Sequence, residues 1–230
     1  MSDYLFIDVW SDVVCPFCYL GSRHLSDALE RFDHRESVVI RHRAFELDPS
    51  APHDYEFSLP VLLAKKYSMP VERAQALNDR LEGEANALGL SWSMRDARPS
   101  NTFDAHRLIA LAASQGMGAA MSERLFRAYF SDGMLVSDQS TLASLAHEVG
   151  VRDVANLWST GLYADEVRSD EAAAMELGIT GVPSMLIDEK FMVVGAQGSD
   201  HILGVLSRAW SRRAGAYSSS AGTTAAVATE

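Results

Sequence analysis

Two cysteines separated by only two residues are the groups in this chain best suited to chemistry. Cys15 and Cys18 are the only cysteines among the 230 residues, and they enclose Pro16 and Phe17. An apolar run typical of a strand precedes them, and Pro16 suits the first position of the helix that follows. At a helix N-terminus the unpaired N–H groups and the macrodipole favour an anion, so Cys15 is expected to be the reactive thiolate.

The spacing of the two cysteines favours redox chemistry over metal binding. Cys18 lies one helical turn after Cys15, close enough to close a disulfide and to resolve a mixed disulfide. A Cys-x-x-Cys beside a βαβ pattern is typical of a thioredoxin-like redox motif. A zinc site would need two further ligands, and the seven histidines contain no pair at zinc-ligand spacing, so no metal is predicted. Two inert buried cysteines are the remaining alternative.

The segment TGVPS at 180–184 is the second candidate feature. A cis bond between Val182 and Pro183 would leave the Val182 backbone N–H and C=O free to pair with an extended substrate segment, as in strand addition. A proline at the entrance of a strand also serves simply to protect a sheet edge. The spacing alone leaves both interpretations open.

The order of the predicted elements brings these two motifs into one sheet. Periodicity predicts four strands, at residues 4–10, 38–45, 184–188 and 191–194. The first two are joined by a helix and should run parallel, with a right-handed crossover. Neither β-containing end makes a stable sheet alone, so the two ends are predicted to join into a four-stranded mixed sheet around a helical insertion.

These features resemble the DsbA family of thiol–disulfide oxidoreductases. The resemblance rests on CPFC after the first strand, GVP before the third strand and the helical insertion between them. The segments VWSDVVCPFCYLG, NTFDAHRL (101–108) and LGITGVPS (177–184) resemble, more narrowly, the FrnE-like subfamily associated with frenolicin-type polyketide clusters. The resemblance extends over about residues 4–213. It implies that Cys15 is the nucleophile, Cys18 the resolving thiol and Pro183 a cis-proline facing them.

The same resemblance implies the domain organisation. The fold would be α/β and thioredoxin-like, with a large helical insertion. Residues 1–46 and 178–213 would form a discontinuous thioredoxin-like domain, and residues 47–177 a helical insertion domain. Residues 214–230 are small, polar and aperiodic, which predicts a disordered tail after a last helix over 200–213.

A sister group offers an alternative function. Kappa-class glutathione transferases and 2-hydroxychromene-2-carboxylate isomerases are also similar to this chain, including an Asn-Thr segment in the insertion. Their nucleophile position usually holds serine, whereas this chain has Cys15 there and a second thiol at Cys18. Activation of glutathione needs no resolving thiol, so the pair favours disulfide chemistry. The alternatives are a glutathione- or thiol-dependent transferase or isomerase acting on an aromatic small molecule, and a non-enzymatic chaperone-like binding module.

Two acidic residues close to the cysteines have two interpretations each. Asp12 either accepts the proton of Cys18 or lies solvated at the edge of the loop. Asp8 belongs to an otherwise apolar strand. A buried acid there would tune the ionisation of the thiols, and an exposed strand edge would remove that role.

Further residues are candidates for the substrate-binding side. His106 lies in a predicted helix over 102–115, either as a structural group or as part of a pocket, and Asn101 is placed to cap that helix. Phe17, Tyr19 and Trp10 either form an apolar rim for unfolded or aromatic substrates or pack in the core. The predicted substrate-binding set consists of Pro183, Val182, Phe17 and His106.

Composition narrows the range of partners. Asp and Glu outnumber Lys and Arg by 31 to 20, which gives a net charge of −11. No basic cluster suited to displacing the counterions of a duplex is present, so neither nucleic acid nor a membrane is an expected partner.

The expected substrates are protein or small-molecule disulfides and dithiols. No cofactor beyond the Cys15–Cys18 disulfide is expected, with a low-molecular-weight thiol allowed as co-reactant. Without a recognisable leader or a long apolar run, we expect a cytoplasmic monomer or homodimer.

Overall fold

A parallel βαβ unit forms the first part of the fold. The structure is a computed structural model that describes the backbone of residues 4–221 and the side chains of residues 4–213. Strand β1 (Leu5–Ser11) leads into helix α1 (Pro16–Glu30), and strand β2 (Val38–Ala44) follows. β1 and β2 pair in parallel from Leu5 opposite Val38 to Ser11 opposite Ala44. The predicted parallel pairing is therefore confirmed.

The C-terminal strands complete the same sheet. Strands β3 (Ser184–Ile187) and β4 (Phe191–Val194) pair antiparallel with each other, and β3 pairs antiparallel with β1. The strand order is β2-β1-β3-β4. The prediction of one four-stranded mixed sheet built from both ends of the chain is confirmed. It places the segment before β3 beside the loop that follows β1, since these two strands are neighbours.

Seven helices fill the chain between β2 and β3. They are α2 (Leu59–Lys66), α3 (Val71–Ala87), α4 (Phe103–Ser114), α5 (Gly118–Phe130), α6 (Gln139–Val149), α7 (Val154–Ser159) and α8 (Ala164–Glu176). Helix α4 lies within one residue of the predicted helix over 102–115 at each end. None of the helices among the described residues combines the length and apolarity needed to cross a membrane.

The last helix is longer than predicted. α9 runs over Ser199–Ala221, whereas the apolar periodicity predicted an end at residue 213. The predicted disordered tail therefore overlaps α9 over residues 214–221, which is a correction. No proline stands in this stretch to end a helix. Residues 222–230 of the predicted tail lie outside the described residues.

Helix α1 belongs to two hydrophobic cores. Its C-terminal half packs through Leu25 against β1 and α9, in a core that includes Ile7 and Leu206. Its N-terminal half packs into the core of the helical segment, where the Tyr19 ring stacks on that of Phe126 with centroids 4.8 Å apart. The first turn of α1, which carries both cysteines, is thereby held at the junction of the sheet and the helical segment.

Candidate active site

The two cysteines occupy the N-terminal turn of α1, as predicted. Cys15 is the N-cap residue and has an extended backbone, and Pro16 occupies the first turn. The Cys15 N–H donates to the Asp12 carbonyl at 3.0 Å, and the Cys18 N–H donates to the Cys15 carbonyl at 3.0 Å. Both cysteines are reduced, with exposed fractions of 4% and 2%. The pair is thus fixed by backbone hydrogen bonds inside the protein rather than on an open surface.

The surroundings of Cys18 keep its thiol protonated. Burial raises the pKa of Cys18 well above its usual value, and a hydrogen bond to Cys15 and the charge of Cys15 raise it further. The Asp12 backbone and the Ser11 side chain act in the opposite direction and lower the pKa of Cys18. The balance favours the thiol, because desolvation of the thiolate is the largest of these effects.

The segment before β3 faces the reactive thiol. The Val182–Pro183 peptide bond is cis, and the Cys15 Sγ lies 3.6 Å from the Val182 carbonyl oxygen. Two hydrogen bonds fix this loop: the Ser184 hydroxyl donates to the Gly181 carbonyl, and the Gly195 N–H donates to the Pro183 carbonyl at 2.8 Å. The structure therefore brings the CPFC and GVP motifs together, 167 residues apart in sequence.

Helix α1 can approach this loop because its second turn carries a glycine. A Cβ at Gly21 would stand 3.1 Å from the Pro183 Cγ, which is tighter than an ordinary van der Waals contact. The close approach places the proline against the turn that bears Cys18. A side chain at this position would separate the two halves of the site.

Asp12 is buried, which corrects one of its two interpretations. Its side chain is 1% exposed, so the prediction of a solvated position at the loop edge is wrong. The carboxylate accepts a hydrogen bond from the Leu47 N–H at 2.7 Å and lies 3.5 Å from the His106 Nε2. These partners come from beyond β2 and from α4, so local sequence could not reveal the burial.

Asp8 is buried as one interpretation required, and its carboxylate is bound by arginines rather than by a thiol. Arg43 donates to it at 2.8 Å, and Arg41 provides a second ion pair. Arg43 also binds Asp170 of α8 at 2.9 Å. Asp8, the acid in an otherwise apolar strand, thus forms ion pairs that link β1 to β2 and, through Arg43, to α8.

His106 joins the site through Asp12. The imidazole is 4% exposed, and its Nε2 has no hydrogen-bond partner among the described residues apart from the 3.5 Å approach to Asp12. Asn101 accepts a hydrogen bond from the Phe103 N–H at 2.9 Å, but the N-cap residue of α4 is Thr102, so the prediction that Asn101 caps this helix is wrong by one residue. The NTFDAHRL segment therefore lies behind the active-site turn, and His106 is not on the exposed side of the site as its predicted substrate-binding role requires.

The three aromatic residues divide between surface and core. Phe17, between the two cysteines, is 49% exposed, as expected of an apolar rim. Trp10 and Tyr19 are each 3% exposed and pack in the core. Ser11, which lines the same cavity as Cys18, was not identified from the sequence, because a serine at the end of a strand carries no distinctive pattern.

Comparison with known proteins identifies the family. A model of the DSBA-like thioredoxin domain matches residues 6–207. The chain belongs to the DSBA-like thioredoxin family. The uncharacterized protein YwbO of Bacillus subtilis is 31% identical over 199 residues, covering 84% of this chain and 92% of that protein.

Solved structures agree with this assignment. A probable DsbA oxidoreductase from Streptomyces coelicolor is 38% identical, with a TM-score of 0.85 over 90% of this chain and 91% of that one. A 2-hydroxychromene-2-carboxylate isomerase is 18% identical, with a TM-score of 0.64 over 91% of this chain and 98% of that one. The cytosolic disulfide reductase DsbM of Pseudomonas aeruginosa, also 18% identical, has a TM-score of 0.55 over 89% and 94%. The last two show the shared fold alone.

The family fits the chemistry of the residues present. A DsbA-like fold supports either a thiol–disulfide oxidoreductase or a related isomerase or transferase. No group of three or more His, Cys, Asp or Glu side chains suited to a metal ion occurs among the described residues. The groups of the site that are suited to chemistry are the thiols of Cys15 and Cys18.

Proposed function

We propose that this protein is a thiol–disulfide oxidoreductase or isomerase that uses the dithiol of Cys15 and Cys18. The observation that supports it most is the placement of the Cys15 sulfur against the Val182 carbonyl, with a second, buried thiol one turn behind. A transferase that activates glutathione would need only one of these thiols. Two thiols in one turn are suited to forming and breaking a disulfide.

The reaction proceeds in two exchanges. The Cys15 thiolate attacks one sulfur of a substrate disulfide, forms a mixed disulfide and releases the other sulfur as a thiolate. The Cys18 thiolate then attacks the Cys15 sulfur, closes the Cys15–Cys18 disulfide and releases the second substrate thiolate. Two electrons pass to the substrate, and each released thiolate takes up a proton. The reverse sequence oxidises a substrate dithiol.

The substrate-binding side is formed by Val182, Pro183 and Phe17, whereas the predicted substrate-binding residue His106 is buried behind them. An extended substrate segment pairs with the Val182 backbone, as in strand addition. The exposed ring of Phe17 offers apolar contact beside the reacting sulfur. His106 acts from behind, by holding Asp12 and with it the turn that bears Cys15. Protein and small-molecule disulfides are the substrates in this proposal, and a low-molecular-weight thiol in a reducing cytoplasm returns the dithiol to its reduced form.

Insulin reduction and refolding of scrambled ribonuclease test this proposal, with glutathione conjugation of an aromatic electrophile measured beside them. Wild-type protein should catalyse at least one of the two disulfide assays. Cys15→Ser should abolish catalysis, and Cys18→Ser should accumulate a mixed disulfide at Cys15. Catalysis that survives Cys15→Ser would contradict the proposal. Glutathione conjugation without any disulfide exchange would instead support the transferase or isomerase alternative.

A further inference from the structure

Two neighbouring cavities lie behind the cysteines. The larger, of about 390 Å³, reaches Cys18 and Pro183 from the side of α1 and β2. The smaller, of about 20 Å³, lies between β2 and α4 and is lined by His106. Ser11, His42 and Ser122 line both cavities. The three side chains therefore connect the resolving thiol to the interior behind the active-site turn.

His42 and His106 each have an unsatisfied imidazole nitrogen. The Nε2 atoms of both are buried and have no hydrogen-bond partner among the described residues. The Nδ1 of His42 lies 3.4 Å from the Ser122 hydroxyl, so its Nε2 is the nitrogen that needs a partner. A buried polar nitrogen of this kind is normally satisfied by protein or by water. The 20 Å³ of the smaller cavity suffices for one water, which needs about 10–15 Å³.

The proposed reaction requires a proton to leave Cys18. In the mixed disulfide the Cys15 sulfur carries no charge and cannot take that proton. Cys18 is 2% exposed, and its burial holds the proton on the sulfur at neutral pH. Ser11 lines the larger cavity together with Cys18, and it also lines the smaller cavity. Ser11 and His42 are thus polar side chains that Cys18 meets in the larger cavity and that continue into the smaller one.

We infer that Ser11 and His42 conduct the proton of Cys18 out of the active site during resolution of the mixed disulfide. Ser11 accepts the proton from the Cys18 sulfur while passing its own hydroxyl proton to cavity water. That water delivers a proton to the His42 Nε2, which returns it to solvent. Ser11 and His42 end unchanged, and no electrons move in this step. The inference rests on the proposed function, since it adds a proton path to the attack of Cys18 on Cys15.

The charge state of His42 suits transient acceptance of a proton. Burial lowers the pKa of His42 to about 4, so the imidazole is neutral at pH 7 and gives up an accepted proton at once. The charged and titratable groups around the smaller cavity are Arg43 of β2, His106 of α4, and Glu166 and Asp170 of α8. Those around the larger cavity are Cys18, Arg23 and Glu30 of α1, Arg35 before β2, and Glu123 of α5.

A two-phase reaction with an aromatic disulfide, 5,5′-dithiobis(2-nitrobenzoic acid), tests the inference. The first coloured thiol is released when Cys15 attacks, and the second when Cys18 resolves the mixed disulfide. Ser11→Ala and His42→Asn should each slow the second phase by about a hundredfold or more at pH 7, the lower end of the range for loss of a proton-transfer group. The first phase should change less than twofold. The second-phase rates should converge with wild type at high pH, where Cys18 ionises without help.

Matched substitutions separate proton transfer from damage to the fold. Ser26→Ala removes a hydroxyl that lines only the larger cavity, and His147→Asn alters an exposed histidine. Both should leave the second phase at the wild-type rate. An unchanged second phase in Ser11→Ala and His42→Asn, or one slowed equally at every pH, would overturn the inference. A wild-type protein without any second phase would instead contradict the proposed function.

Discussion

At the scale of single residues, the two thiols differ in what surrounds them. Cys15 is the N-cap residue of α1 and faces the Val182 carbonyl, whereas Cys18 lies inside the first turn, where burial raises its pKa well above the usual value. Thiolates, not thiols, attack disulfides and alkylating agents. This difference supports the proposed roles of Cys15 as the nucleophile and Cys18 as the resolving thiol.

Brief alkylation of the reduced protein should therefore discriminate between the thiols. We expect iodoacetamide near neutral pH to modify Cys15 first, with Cys18 reacting appreciably only as the pH rises toward its elevated pKa. Peptide mapping by mass spectrometry after short exposures measures both rates. Equal labelling of the two cysteines, or preferential labelling of Cys18, would show that the roles are assigned wrongly.

The residue between the cysteines should set the redox potential. Phe17 is 49% exposed and offers neither a charge nor a conventional hydrogen-bond donor to the Cys15 thiolate. A histidine there would stabilise the thiolate, and hence the reduced form, so Phe17→His should be a stronger oxidant by some tens of millivolts. About 30 mV corresponds to 1.4 kcal/mol for a two-electron couple. Equilibration with glutathione buffers measures the shift, and a more reducing variant would contradict it.

At the scale of elements, α1 is the part that joins the sheet, the helical segment and the GVP loop. Its position depends on Leu25 in one core and Tyr19 in the other, and on Gly21 at the contact with Pro183. The hydrogen bonds from Ser184 and Gly195 leave this loop little freedom to retreat. The geometry between thiol and loop is therefore a property of packing, not of the cysteine motif alone.

Gly21→Ala should disturb this contact. The new Cβ would lie 3.1 Å from the Pro183 Cγ, and such overpacking costs about 1–3 kcal/mol. We expect a lower free energy of unfolding and slower disulfide exchange. Gly83→Ala is the matched control, because a Cβ there meets nothing within 4 Å, and in the interior of α3 it should stabilise by about 0.5–1 kcal/mol. Unimpaired exchange in Gly21→Ala would contradict the role given to this contact.

Sequence patterns predicted the elements well wherever local periodicity determines them. The βαβ unit, the hairpin of β3 and β4 and the site motifs follow from short runs of apolar residues and from Cys15, Cys18 and Pro183. The burial of Asp12 depends instead on the Leu47 N–H and on His106 of α4, which approach only in the folded chain. The end of α9 was wrong by several residues, because its last part lacks the apolar periodicity on which the prediction depended.

At the scale of the whole molecule, long-range contacts between the sheet and the helical segment bury polar groups that titrate. His42 projects from β2 toward α5, and a Cβ at Gly118 would stand 3.3 Å from its ring. Its pKa falls to about 4, since burial disfavours the charged imidazole. The same contacts that form the cavities therefore couple the stability of the fold to pH.

Burial of His42 makes the folded protein less stable as the pH falls. Between pH 6.5 and 4 the unfolded chain binds a proton at His42 that the folded protein does not. The contribution of His42 to the free energy of unfolding is therefore complete above pH 6.5 and is lost as the pH falls toward 4. Wild-type protein should lose more unfolding free energy than His42→Asn over this range, by on the order of 2 kcal/mol. Denaturant titrations at pH 7 and pH 4.5 measure the difference. The same loss in both proteins would contradict it, and His147→Asn should behave as wild type.

Exchange between the Cys15–Cys18 dithiol and a substrate disulfide can be followed directly in a single-turnover experiment. Reduced protein is mixed with a limiting amount of a disulfide substrate, quenched in acid and analysed as intact protein and as peptides by mass spectrometry. The proposed function predicts one Cys15–Cys18 disulfide for every substrate disulfide reduced, with a mixed disulfide at Cys15 as the intermediate. Release of substrate thiols while both cysteines stay reduced, or formation of an adduct at Cys18 alone, would contradict it.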